Sequence, residues 1–140
     1  MAKGLKLARQ FIQAIPHAQD LAMELTRLED GLAEIVMPYD ARLIGDPDTG
    51  VIAGGAVSAV LDTCCGAAVM SHPNNLSATA TIDLRINYMR AARPGDAIRC
   101  VADCYHMTRS VAFVRATAFD GDAERPVATA TGSFTVEAAR

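Results

Sequence analysis

One segment of unusual composition constrains the fold of this chain more than any other. Residues 50–70 read GVIAGGAVSAVLDTCCGAAVM, a run of small and apolar side chains interrupted by a single carboxylate, Asp62. The 34 residues from Thr49 to Ile82 contain no other Asp, Glu, Lys or Arg, whereas 21% of the whole chain is charged. Side chains of these types are the ones most often fully buried. The segment from residue 54 to about residue 70 therefore predicts a central helix surrounded on most sides by other structure.

The segments that flank this helix predict short antiparallel strands. Apolar and polar residues alternate from Leu21 to Thr26, and the turn sequence EDG leads into a second strand over 32–37. Four strand-like segments follow the helix, and we predict that they form a meander over residues 78–88, 97–105, 111–119 and 127–136. Strands grouped in this way favour an α+β fold, in which an antiparallel sheet wraps around one long central helix.

Length and composition indicate one domain over residues 1–140, with an N-terminal helical segment over 1–19. Hydrophobic residues make up 51% of the chain and the net charge is only −3, which argues against a nucleic-acid or membrane-surface partner. No secretory signal is recognisable near the N-terminus, so we expect a cytoplasmic protein. The predicted sheet leaves one face and one edge uncovered, and a second copy of the chain is the simplest cover.

The cysteines and histidines do not show the spacing of a metal site. Cys64 and Cys65 are adjacent, and neither they nor Cys100 and Cys104 form a CxxC pair. We predict that all four are reduced, buried thiols that pack as small hydrophobic side chains. The histidines offer no carboxylate or cysteine at ligand spacing, so we predict no metal and no cofactor.

Asp62 is the first candidate for a catalytic group. A carboxylate held among apolar residues can serve as a general base or a nucleophile. The structural alternative is an acid whose oxygens are satisfied by a nearby hydroxyl, such as that of Ser58 or Thr63. Gly54 and Gly55, at the start of the helix, would let a carbonyl oxygen approach backbone N–H groups, although two glycines also form an ordinary helix entry.

The separation of these candidates along the helix predicts where a site would form. Asp62 lies seven residues after Gly55, which corresponds to about 10 Å at 1.5 Å per residue. Both groups would have to lie within about 4 Å of one carbonyl carbon to act on it together. If both residues act, Gly55 of one subunit must meet Asp62 of another, so the site would lie between two chains.

Several motifs together resemble those of the PaaI-like group of hotdog-fold acyl-CoA thioesterases. The motifs are GGAVSAVLDTCCGAA, ATIDLRINYMRAARPGD, RSVAFVRATAFDGD and VATATGSFTV, and the similarity in order and spacing extends from about Gly45 to Val136. The resemblance implies a hotdog fold and hydrolysis of an acyl-CoA thioester. The family usually reads His-Gly-Gly where this chain has Ala53-Gly54-Gly55.

The resemblance also implies roles for individual residues. Asp62 falls on the catalytic acid, and Gly55 falls on the glycine whose N–H polarises the thioester carbonyl, with Gly54 beside it at the substrate. Thr81 falls on the hydroxyl residue that positions the attacking water, with Thr79 as the alternative. The phosphates of coenzyme A would meet basic and polar residues near the turns that follow, namely Arg90, Arg93, Arg109 and Ser110.

The same resemblance leaves two other functions open. A non-catalytic acyl-CoA sensor would bind the thioester without turnover, which the alanine at position 53 favours. A hydratase or dehydratase of the same fold would need a histidine paired with an acid, and none lies beside Gly54. In the preferred interpretation, the protein is a homodimer that assembles further into a homotetramer, and coenzyme A is part of the substrate rather than a cofactor.

Overall fold

The computed structural model describes residues 2–75 and 78–137. The helices are α1 (Ala2–Gln13), α2 (Pro16–Asp20) and α3 (Gly54–Ser71). The strands are β1 (Glu24–Glu29), β2 (Leu32–Met37), β3 (Ile44–Asp46), β4 (Val51–Ile52), β5 (Thr81–Tyr88), β6 (Ile98–Met107), β7 (Val111–Phe119) and β8 (Ala128–Thr135). Six of the strands form one antiparallel sheet in the order β1-β2-β6-β7-β8-β5. The sheet and its single long helix confirm the predicted α+β architecture.

Helix α3 is the core of the molecule. It packs chiefly against β6, β2 and β7, and half of its residues are buried. In the described parts of the chain it is also the one helix long and apolar enough to cross a membrane. Its packing on the sheet accounts for this apolar character.

The inner face of the sheet packs against helix α3. Buried and less buried residues alternate along β6 and β7, as expected for strands with one face on the core. Five alanines occupy inner positions of β7 and β8 and leave room for close approach of α3: Ala112, Ala116, Ala118, Ala128 and Ala130.

The position of β5 differs from the predicted four-strand meander. Strands β6, β7 and β8 are consecutive neighbours, but β5 pairs with β8 and lies at the edge of the sheet. The connection over residues 89–97 carries the chain from this edge to β6, which lies between β2 and β7. A local sequence pattern identifies a strand but not its partner, so the prediction of a simple meander was wrong for β5.

The first half of the chain contains elements that the sequence analysis did not identify. Leu21, predicted to begin a strand, is instead the C-terminal cap of the short helix α2, and β1 begins at Glu24. The loop predicted over residues 38–50 contains a single 3-10 turn, Ala41–Leu43, and a two-stranded ribbon of β3 and β4. This ribbon immediately precedes α3 in the chain.

Helix α1 lies over β1 and one side of α3. Its buried face includes Ala8 and Ile12, whereas Leu7 and Phe11 remain largely exposed. The helix therefore contributes one face to the core and holds further apolar side chains at the surface beside α3.

Candidate active site

Asp62 is paired with a hydroxyl from another element of the fold. The Thr81 Oγ1 hydroxyl donates a hydrogen bond of 2.7 Å to Asp62 Oδ1. Asp62 lies half-buried in the middle of α3, and Thr81 is the first residue of β5. The second carboxylate oxygen of Asp62 accepts no hydrogen bond from residues 2–75 or 78–137. One oxygen is thus held in place while the other is available to a reacting molecule.

An irregularity in strand pairing turns Thr81 towards the helix. Thr81 pairs with Phe134 and Asp83 pairs with Ser133, so two steps along β5 match one step along β8. A bulge of this kind changes the face on which a side chain lies. Thr81 consequently shares the inner face with buried Phe134, while the Asp83 carboxylate accepts a hydrogen bond from the Ser133 hydroxyl.

The nearby hydroxyls considered as alternatives have other partners. Ser58 Oγ donates to the carbonyl oxygen of Gly55 at 2.9 Å and not to Asp62. Thr79 Oγ1 donates to the carbonyl oxygen of Thr135 at 2.6 Å. Among the residues that the structure describes, the hydroxyl that reaches Asp62 is therefore that of Thr81.

Asp62 and Thr81 line a mostly apolar cleft of about 270 Å³. Two sides of this cleft come from α3 and from the start of β5, and a third side comes from the N-terminal helices. The further lining residues are Phe11, Ile12, Ile15, His17, Thr63, Gly66, Ala67, Met70, Thr79, Ala80 and Phe134. The contribution of the N-terminal helices was not predicted from the sequence, although apolar residues at helical spacing in α1 were the available signal.

The two glycines at the start of α3 differ in their surroundings, because Gly54 lies against the Tyr88 ring whereas Gly55 is open. Gly54 and Gly55 are exposed, and a Cβ atom added to Gly55 would meet no described atom within 4 Å. As residues of the first helical turn, they have N–H groups without intrahelical acceptors. Tyr88, at the end of β5, donates a hydrogen bond of 3.0 Å to the carbonyl oxygen of Gly54. These amide groups can therefore receive an oxygen that carries developing negative charge.

Arg90 is held by a buried carboxylate. Its two terminal nitrogens donate to the two oxygens of Asp120 at 2.7 Å each, and the Asp120 side chain is 0% exposed. Asp120 also accepts hydrogen bonds from the backbone N–H groups of Arg93 and Asp122. The hydrogen bonds from Arg90 hold the pKa of Asp120 well below its usual range. This ion pair fixes the segment after β5 to the turn after β7.

The other residues predicted to bind coenzyme A divide between opposite ends of the sheet. Arg90 and Arg93 line an open pocket of about 520 Å³ together with Arg125, which the sequence analysis did not select. Val51 also lines this pocket and lies three residues before Gly54. Arg109 and Ser110 lie at the turn between β6 and β7, near the end of the sheet that carries Thr81. The length of β6, about 30 Å at 3.3 Å per residue, separates the two groups.

The four cysteines are buried and unpaired, as predicted. Burial raises the pKa of Cys104 to about 11 and raises that of Cys65 further. Cys64 Sγ donates to the carbonyl oxygens of Ala33 and Cys100 at 3.4 Å. These thiols thus behave as core side chains and not as nucleophiles.

Comparisons with known proteins identify the family of this chain. The family model of the thioesterase superfamily matches residues 49–127, which is more than half of the chain. The medium/long-chain acyl-CoA thioesterase YigI of Escherichia coli is 26% identical over 148 aligned residues, covering 96% of this chain and 94% of that protein.

Solved structures extend the comparison to the whole fold. A protein of Pseudomonas aeruginosa is 34% identical with a TM-score of 0.82, covering 94% of this chain and 97% of that one. The PaaI protein of the Escherichia coli phenylacetic acid degradation operon has a TM-score of 0.84 at 17% identity, covering 96% and 94% of the two chains, and shows the shared fold. With a hotdog fold and a family match that includes both Gly55 and Asp62, the chain belongs to the thioesterase superfamily and is a thioester hydrolase.

Proposed function

We propose that this enzyme hydrolyses acyl-CoA thioesters at a site shared by two copies of the chain, with Asp62 as the catalytic carboxylate. The observation that carries the proposal is the Asp62–Thr81 hydrogen bond in the wall of a mostly apolar cleft. The acyl-CoA thioesterase relative supports the choice of substrate class.

The free oxygen of Asp62 acts as a general base in the proposed reaction. It takes a proton from a water molecule while the oxygen of that water bonds to the thioester carbonyl carbon. The carbonyl π electrons move to the carbonyl oxygen, which the N–H of Gly55 stabilises. When the carbonyl re-forms, the C–S bond breaks, and the coenzyme A thiolate leaves and takes up the proton. The Thr81 hydroxyl keeps the carboxylate oriented throughout and accepts a hydrogen bond from the water.

The exposed edge strand supports a shared site. Strand β5 has no neighbour on its outer side in the described chain, and Ile82 and Met89 are 54% and 58% exposed. Antiparallel pairing of β5 with its own copy about the strand midpoint places Thr81 opposite the second copy's Tyr88 end. Because Tyr88 contacts Gly54, this pairing brings Gly55 of the partner subunit towards Asp62.

The same arrangement gathers positive charge at one site. The pocket lined by Arg93 and Arg125 lies at the Gly55 end of the subunit, and Arg109 and Ser110 lie at the Thr81 end. Pairing the subunits along β5 brings one end from each chain together. We assign phosphate binding to Arg93, Arg125, Arg109 and Ser110, and we assign to Arg90 the support of the pocket wall through Asp120.

Replacement of the proposed base tests the assignment directly. Asp62→Asn keeps the size of the side chain and an oxygen that can accept from Thr81, but it cannot remove a proton from water. We expect thiol release from an acyl-CoA panel to fall about 100-fold or more while the melting temperature is retained. Undiminished turnover in this variant would refute the role of Asp62, and saturable binding by the wild type without turnover would identify a sensor instead.

A mixing experiment tests whether the site is shared. Gly55→Pro removes the N–H from the first turn of α3, where proline is tolerated, and is expected to be inactive alone. In randomly mixed and refolded dimers of Gly55→Pro with Asp62→Asn, half are hybrids, and each hybrid has one intact site. We expect recovery of about a quarter of the wild-type activity. A site contained within one chain predicts no recovery.

Isotope tracing separates two forms of the reaction. Direct attack by Asp62 would form a mixed anhydride, and its hydrolysis in oxygen-18 water would leave label in the Asp62 carboxylate after a single turnover. The proposed general-base route places the label in the released acid alone. Oxygen-18 label in the carboxylate of residue 62 would therefore show that Asp62 attacks the thioester directly and does not activate a water molecule.

A further inference from the structure

We propose that Gly66 determines the length of acyl chain that the enzyme accepts, with the chain lying along α3 from Asp62 over Gly66 to Met70. This inference rests on the proposed function, because it places the acyl group of the same thioester in the cleft beside Asp62. The cleft is bounded on one side by α3 and on another side by the N-terminal helices.

The spacing of these three residues defines a straight path on one helix face. Asp62, Gly66 and Met70 are each separated by four residues, and all three line the cleft. Side chains four residues apart lie on the same face of a helix, one above the other. The path from Asp62 to Met70 is about 12 Å long at 1.5 Å per residue. It starts at a carboxylate and continues over apolar side chains, as a fatty acyl group bound by its reactive end requires.

Gly66 is not explained by packing within the described chain. Glycine in the middle of a helix is less stable than alanine, so its presence in α3 needs a reason. A Cβ atom added to Gly66 would meet only Phe134 Cε2, at 3.8 Å, which is an ordinary van der Waals contact. The fold would therefore accept a side chain at this position, but that side chain would enter the cleft. Keeping the path open for a ligand supplies the reason.

The opposite wall makes the path suitable for a straight hydrocarbon chain. Phe11, Ile12 and Ile15 from the N-terminal segment line the cleft, and Phe134 lies on the side to which a side chain at residue 66 would project. Three bonds of an extended chain advance about 3.3 to 3.6 Å, so a 12 Å path holds about ten bonds. We therefore expect the preferred substrates to be straight acyl groups of about eight to twelve carbons, with Met70 at the far end.

Variants that narrow or lengthen the path provide the test. We would measure kcat/KM for straight-chain acyl-CoAs from butyryl to palmitoyl with wild type, Gly66→Ala, Gly66→Leu and Met70→Ala. Ala14→Leu is the matched control, because it adds an apolar side chain at an exposed position of the N-terminal segment outside the cleft lining. The binding of S-decyl-CoA, a thioether that cannot be hydrolysed, is measured in parallel by calorimetry.

The inference predicts a change in the preference for acyl-chain length and not a general loss of activity. Gly66→Leu should lower the ratio of kcat/KM for decanoyl-CoA over butyryl-CoA by about tenfold or more, with Gly66→Ala intermediate. Met70→Ala should move the optimum to longer chains, and Ala14→Leu should leave the ratio unchanged. The melting temperature of Gly66→Ala should equal or exceed that of wild type, which separates an effect in the cleft from misfolding.

The outcomes distinguish this inference from the function on which it rests. If wild type hydrolyses acyl-CoAs but all chain lengths respond equally to Gly66→Ala and Gly66→Leu, the assignment of Gly66 is overturned and the function stands. If wild type hydrolyses no acyl-CoA, the proposed function fails. In that case S-decyl-CoA still decides the binding path: unchanged affinity in Gly66→Ala overturns it, and weakened affinity supports it.

Discussion

The ion pair between Arg90 and Asp120 offers a test of how this fold is stabilised. Arg90→Met keeps the apolar stem of the side chain but removes both hydrogen bonds to the fully buried Asp120 carboxylate. The carboxylate retains only its backbone donors from Arg93 and Asp122 within the described structure. Removing one partner of a buried pair leaves the other charge uncompensated, which typically lowers the free energy of unfolding by about 3–5 kcal/mol.

The size of the effect can be converted into a melting temperature. Unfolding entropy near 60 °C is about 2.1 cal/mol/K per residue, or roughly 0.3 kcal/mol/K for a chain of this length. A loss of about 3–5 kcal/mol should therefore lower the melting temperature by roughly 10–17 °C. Thermal unfolding followed by circular dichroism at pH 7 measures this shift.

The effect should also depend on pH in a defined direction. Arg90 lowers the pKa of Asp120 in the folded state, so the carboxylate contributes stability at pH values above its unfolded pKa of about 4. This contribution is lost as the pH falls towards the lower folded value. The difference in melting temperature between wild type and Arg90→Met should therefore shrink below about pH 4.

A neighbouring arginine supplies the control. Arg93→Met removes an ion pair with Asp96 in which the arginine side chain is 59% exposed. Exposed pairs contribute at most about 1 kcal/mol, so the melting temperature should fall by no more than about 3 °C. Equal shifts for the Arg90 and Arg93 variants, or a wild-type to Arg90→Met difference that stays constant down to pH 3, would refute the structural role of Arg90.

Two further predictions concern the catalytic pair and the sheet edge. Thr81→Val should lower kcat by about 10- to 100-fold, because a hydrogen bond to a charged group contributes about 1.5–3 kcal/mol. Thr81→Ser keeps the hydroxyl and should retain most of the activity. Equal loss of activity in both variants would contradict the hydrogen-bonding role of Thr81. Ile82→Lys should place a charged ammonium group within the proposed β5 pairing and shift the main species in analytical ultracentrifugation to the monomer, with loss of thiol release. An intact, active dimer would exclude this edge as the interface.

The sequence determined the core of the fold more reliably than its connections. Scarcity of charge from Thr49 to Ile82 identified α3 because burial excludes charged side chains regardless of which elements cover the helix. The alternation in β6 and β7 likewise follows from having one buried face. The location of β5 at the edge depends on pairing with β8, about fifty residues away in sequence, and no local pattern records such a partner.

Arg90 shows the same limit at the level of one side chain. Six arginines lie between residues 85 and 115, and proximity to a turn indicated solvent exposure or phosphate binding for three of them, Arg90, Arg93 and Arg109. The structure separates Arg90 from Arg93 because Asp120 approaches from the turn after β7, thirty residues away. The sequence predicted the charge of this region, but the tertiary fold decides which guanidinium group faces solvent.

The pairing of Asp62 with Thr81 depends on two residue types, which the sequence shows, and on a bulge in β5, which the sequence does not show. Thr79, Thr81 and Asp83 alternate as they would along one polar face of a regular strand, which would place Thr81 on the side away from α3. The bulge between Thr81 and Asp83 reverses the face at one position and turns a single hydroxyl towards the only carboxylate of the core helix. Strand register is thus part of the proposed catalytic site: a variant that removed the bulge would keep both residues and the fold, yet separate the hydroxyl from the acid.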